Sequence, residues 1–181
     1  MHLKTMPTTW LLCRKVHEMN LPLSDIIEQG KKTAEFDYRS KVASFLGGDF
    51  SGYIVVTIDG FDGIEEGVLI FRKGYLLAGL YEFLNYGITM FGDSSLKHTF
   101  NAFLNDKGIV DVYGLTNQQV DLVTAFNDKI KLTRPITKSE VSKLFALKYS
   151  SELSMELLKE VLQKQESKDE VLKKFGLTSL G

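Results

Sequence analysis

Four carboxylates fall within eight residues, Asp59, Asp62, Glu65 and Glu66, in a stretch that also carries Gly60, Gly63 and Gly67. That many hard oxygen donors could surround a cation such as Ca²⁺, yet they lack the alternating spacing of an EF-hand loop. The same residues make a good exposed hairpin turn, because aspartate and glycine accept positive φ, and this is the stronger reading. His2, His17 and His98 are scattered without metal-ligand spacing, and the single cysteine, Cys13, has no CxxC partner. Cys13 therefore reads as a buried, inert thiol in a reducing compartment, and no internal disulfide can form. The glycines at 47, 48, 52, 60, 63 and 67 sit in neither GxxxxGK[ST] nor GxGxxG, and neither GxSxG nor HExxH occurs. They read as turn glycines. The expectation is a non-catalytic chain, not an enzyme, with no cofactor and with Asp59, Asp62, Glu65 and Glu66 as its weak metal candidates.

The acidic cluster lies inside the stretch that organises the chain, Phe50 to Tyr81, which alternates apolar and polar residues between glycine or acidic turns. Alternation with a period of two marks an antiparallel meander. Ile54, Val56 and Ile58 are predicted to face the core, and Tyr53, Val55 and Thr57 an outer or partly covered surface. Asp59 to Glu66 reverses the chain, Val68 to Phe71 runs back, Arg72-Lys73-Gly74 makes a tighter turn, and Tyr75 to Tyr81 returns as a third strand. Ala78 and Gly79 predict close packing there. Ile109, Val110 and Val112 are strand-like and suited to a fourth strand.

Around this sheet the spacing predicts helices. Ser24 can cap a short helix through Asp25, Ile26 and Ile27, and Thr33 to Leu46 fits a helix with one buried stripe. Residues 1 to 20 hold an apolar patch, Trp10, Leu11, Leu12 and Val16, that fits either a strand or a helix. Glu82 to Gly92 has no clean period and reads as an ordered loop. Asp93 or Ser94 caps a helix carrying Leu96, Phe100, Phe103 and Leu104, which Asp106-Lys107-Gly108 ends. Thr116 and Gln119 form a capping box before a stripe of Val120, Val123 and Phe126. From Thr133 the chain changes character, with three helix starts at Thr137, Ser150 or Ser151, and Ser167, and a polar hinge at Gln163 to Lys168. The predicted fold class is α+β: an antiparallel β-meander packed against helices (1–132), followed by a helical C-terminal extension (133–181).

With 181 residues and 44% hydrophobic content the chain can bury a sizeable core. Its net charge of −1 gives no overall pull toward nucleic acid or an anionic membrane. Locally, residues 47–93 carry a net −5 and residues 133–181 a net +2. The aromatic residues of the meander could stack bases, but phosphate repulsion by the acidic stretch opposes that. No apolar run reaches the roughly 20 residues of a transmembrane helix, and no targeting signal stands at the N-terminus, so a cytoplasmic protein is expected.

The runs Phe50-Ser51-Gly52-Tyr53-Ile54, Glu65 to Gly74, Ala78 to Glu82, and Gly92-Asp93 with the following helix resemble an uncharacterised archaeal domain family. Lys148-Tyr149 and Ser167 to Leu177 are similar to the tail of its members. That family is similar in turn to the PATAN-like domains of bacterial signalling proteins. The resemblance implies a non-catalytic regulatory or interaction module and supplies no catalytic residue. The functional expectation is a protein-interaction or signalling adaptor that docks a protein partner through Val171, Leu172 and Phe175, as a helix in a groove. The alternative is a small-ligand or metal-responsive domain using the acidic hairpin and Phe83 to Phe91. A homodimer through an exposed sheet edge is a further expectation.

Overall fold

The computed structural model describes residues 15–16, 19–22 and 24–174. The short strands β1 (Lys15–Val16) and β2 (Met19–Asn20) pair with each other, and Met19 and Leu21 are buried. The Trp10 to Leu12 patch lies outside the described residues. Seven further strands form one antiparallel sheet: β3 (Asp25–Lys32), β4 (Gly52–Asp59), β5 (Ile64–Arg72), β6 (Tyr75–Phe83), β7 (Ile88–Phe91), β8 (Gly108–Gly114) and β9 (Lys131–Ile136). Their order is β3-β8-β4-β5-β6-β7, with β9 also on β6. The helices are α1 (Tyr38–Gly47), α2 (Asp93–Ala102), α3 (Asn117–Phe126), α4 (Lys138–Val141) and α5 (Ser151–Lys174). The fold is therefore α+β with a C-terminal helix, and among the described residues no helix is long and apolar enough to cross a membrane.

The meander forms where alternation places it, and Lys73-Gly74 turns with positive φ at both positions (47° and 76°), as a two-residue hairpin requires. Ile54, Val56 and Ile58 face a core shared with Val42, Phe71, Phe100 and Leu158. The opposite face is not half-exposed as expected. Tyr53 and Val55 join Val68, Ile70, Leu80, Met19, Leu21, Val120 and Val123 in a second core. A sheet covered on both faces loses the polar half of its pattern only where a second layer arrives, here α3 and the chain before β3. On the first face α2 lies unusually close: a Cβ on Gly79 would stand 2.6 Å from Ser95 Oγ, and one on Gly67 2.7 Å from Thr99 Cγ2. The small residues in β5 and β6 set that approach.

Several local expectations are corrected. Asp25–Ile27 is not helix but the start of β3, whose pairing with β8 prevails over a cap at Ser24. The predicted Thr33–Leu46 helix breaks into a 3₁₀ turn (Thr33–Glu35) and α1, because Asp37 Oδ1 accepts the Ser40 amide at 3.1 Å and restarts it. Residues 82–92 are not one loop: β6 continues to Phe83 and β7 pairs with it from Ile88. The cap at Asp93 differs too, since its carboxylate accepts the Thr133 amide (2.9 Å) and hydroxyl (2.6 Å), tying α2 to β9. The capping box of Thr116 and Gln119 is present, but Phe126 is 83% exposed and leaves the buried stripe. After the Thr137–Glu140 box, the last two predicted helices are one, α5. The expected hinge at Gln163 to Lys168 is helical, as its helix-forming Gln, Lys and Glu residues permit.

Candidate functional site

The four carboxylates of the hairpin separate in space. Asp59 and Asp62 are exposed; Asp62 accepts the Tyr86 hydroxyl, and its carbonyl accepts Asn85 Nδ2 at 3.0 Å. Glu65 and Glu66 belong to β5, so their side chains leave opposite faces of the sheet. Both are buried, a correction to the expected exposed turn. Among the described residues no three His, Cys, Asp or Glu side chains come together as a metal ion would require. His2, His17 and Cys13 lie outside the described residues.

Glu65, 2% exposed, is instead a structural node. Its Oε2 accepts the Tyr81 hydroxyl from β6 and the Ser154 hydroxyl from α5 (2.9 Å), and its Oε1 accepts the Phe61 amide at the hairpin tip (2.9 Å). Burial, and then the neighbouring Glu65, push the Tyr81 phenol well above its usual range. On the other face Glu66 Oε2 accepts the Thr57 hydroxyl at 2.8 Å. These contacts tie Glu65 to β6, α5 and the hairpin tip, and Glu66 to β4.

His98 sits beside the same node, its ring 5.5 Å from Tyr81 and 6.0 Å from Phe83, with Nδ1 buried and without a hydrogen-bond partner among the described residues. Burial, and then Lys97, lower its pKa to about 4. Above pH 6.5 the imidazole is neutral folded or unfolded. Between about 6.5 and 4 only the unfolded chain takes up the proton, so stability is expected to fall with pH by about 2 kcal/mol after allowance for partial solvent contact. Urea unfolding of wild type and His98→Leu at pH 7 and 4.5 checks this: the variant should lose less stability on acidification, and equal losses would exclude His98 as the cause.

A candidate binding surface lies on α3. Val120 and Val123 point into the second core, whereas Leu122 (56% exposed) and Phe126 stand four residues apart on the outer side. With Leu21, Pro22, Gln119, Val123 and Asn127 they line a groove of about 500 Å³ that contains no charged side chain among the described residues. Sequence reasoning passed over Leu122 and assigned Phe126 to the core. The signal was an apolar i, i+4 pair off the stripe that the capping box introduces. Of the expected docking residues, Val171 and Leu172 fall in the last turns of α5 and Phe175 lies outside the described residues. At its N-terminal end, α5 is joined to its own chain through Ser154 and Leu158.

Sheet, helices and groove together define an α+β domain in which Glu65 and Glu66 are turned inward and Leu122 and Phe126 are exposed on one helix. Residues 19–127 match the family described as uncharacterised protein conserved in archaea (DUF2226), and the chain belongs to that family. No curated protein and no solved structure matches the chain.

Proposed function

We propose that the protein is a non-catalytic, cytoplasmic interaction module of regulatory type, in the manner of PATAN-like signalling domains, and that the outer face of α3 receives its protein partner. The observation that carries this reading is the groove flanked by Leu122 and Phe126, which has no charged side chain among the described residues. Large apolar side chains exposed together around a concavity are typical of protein interfaces, whose cores are depleted in charge. An uncharged groove with amides at its rim, Gln119 and Asn127, fits an apolar anchor on a partner helix or loop better than an ionic ligand. Val171, Leu172 and Phe175, the docking residues expected from the sequence, supply a second contact of the same module.

The test is affinity capture with three full-length baits: wild type, Leu122→Ser with Phe126→Ser, and Leu172→Asp. Both α3 side chains are exposed, so their replacement should leave the melting temperature nearly unchanged. The expected result is a protein recovered by wild type and reduced at least about tenfold by the α3 pair, as loss of two interface anchors would produce. Equal recovery by the wild-type and α3 baits would place docking elsewhere. Loss with Leu172→Asp alone would place it on α5.

A further inference from the structure

Strand β3 ends the sheet. Its inner edge pairs with β8, no strand lies on its outer edge among the described residues, and seven of its eight residues are exposed. Ile26 and Ile27 are 60% and 46% exposed, on a strand where apolar side chains have no core to enter. A free edge of this length is a template for another strand unless it is blunted.

The charges on the edge are self-complementary. The strand reads Asp25-Ile26-Ile27-Glu28-Gln29-Gly30-Lys31-Lys32, acidic at its start and basic at its end. Glu28 is already held by Lys41, and Lys31 by Glu28 at 3.5 Å. Asp25 and Lys32, at the two ends, have no ion-pair partner among the described residues. In an antiparallel pairing of β3 with itself, centred between Glu28 and Gln29, Asp25 of each copy falls opposite Lys32 of the other. Ile27 then faces Gly30, and Ile26 lies along the aliphatic stem of Lys31.

We infer that β3 pairs with β3 of a second copy across a two-fold axis, joining two seven-stranded sheets into one, with the Asp25–Lys32 pairs fixing the register. The inner ladder of β3 is interrupted between Ile26 and Glu28 and between Glu28 and Lys31, where the Gly30 amide turns to Asp111 Oδ1 (2.6 Å). Such irregularities weaken an edge as a template. They leave the charged ends to set the register, and they make the association reversible.

The inference is independent of the α3 groove and is tested by sedimentation equilibrium of the full chain over a range of concentrations. The wild type should approach twice the 20.4 kDa chain mass at high-micromolar protein. Asp25→Lys or Lys32→Asp alone places like charges opposite at both ends and should weaken dimerisation about tenfold or more. An equimolar mixture of the two variants should restore it, because the lysines of one then meet the aspartates of the other. Both positions are exposed, so unchanged melting of each variant is the folding control. A wild type that stays monomeric, a dimer that neither substitution weakens, or a mixture that fails to recover would each overturn the inference.

Discussion

Replacing Glu65 with alanine is expected to destabilise the domain by about 4 kcal/mol, measured as a lowered urea midpoint at pH 7 with an unchanged denaturant slope. The carboxylate accepts from three donors on three elements: the Phe61 amide, the Tyr81 hydroxyl and the Ser154 hydroxyl. Alanine leaves all three without their acceptor, and a buried donor without a partner costs about 1 to 3 kcal/mol. Glu65→Gln keeps one acceptor oxygen and should lose about half as much. Because Ser154 belongs to α5, amide exchange in the first turns of that helix should accelerate in Glu65→Ala. A loss under about 1 kcal/mol would mean that the node does not fasten the helix to the sheet.

A comparable loss, about 4 kcal/mol, is expected for Phe100→Ala, from the range for truncating a buried phenylalanine. Phe100 is fully buried at the junction of three segments, its ring 6.5 Å from Tyr38 on α1, 6.4 Å from Phe103 and 5.5 Å from Phe145. No single neighbour can collapse into the space without releasing another. Phe100→Leu should recover more than half of the difference. If thermal and chemical unfolding both place the alanine variant within about 1 kcal/mol of wild type, the cluster does not join these segments.

Elements that carry their own signal were legible in the sequence. The alternation of Tyr53 to Ile58 and the reciprocal bonds of Thr116 and Gln119 are local, and both form as read. Strand β3 was misread because period-two alternation reports burial on one face, and this strand buries neither. The second core was invisible for the opposite reason. Tyr53 and Val55 are apolar enough to be covered, but what covers them, α3 and Met19 with Leu21, lies far away in sequence. Glu65 and Glu66 looked like solvent ligands because acids beside glycines usually sit in turns. Only the folded neighbours, Tyr81 and Ser154 for one and Thr57 for the other, reveal why they can be buried. The α3 groove joins Leu122 and Phe126 to Leu21 and Pro22 beside β2, and no local pattern encodes such a juxtaposition.

The strand order carries a consequence for the order of events during synthesis. β4 to β7 are consecutive in both sequence and space, so residues 52–91 can pair as soon as they leave the ribosome. β3, made earlier, must wait, since its only strand neighbour among the described residues is β8, which occupies residues 108–114 and also completes the other side of β4. Until that late strand arrives, β3 and one edge of β4 stand open together. Closing a loop of this length slows folding relative to a local meander, so the nascent chain passes through a stage in which two sticky edges are exposed at once. Premature pairing between neighbouring chains, rather than loss of the finished fold, is then the failure to which this topology is most susceptible.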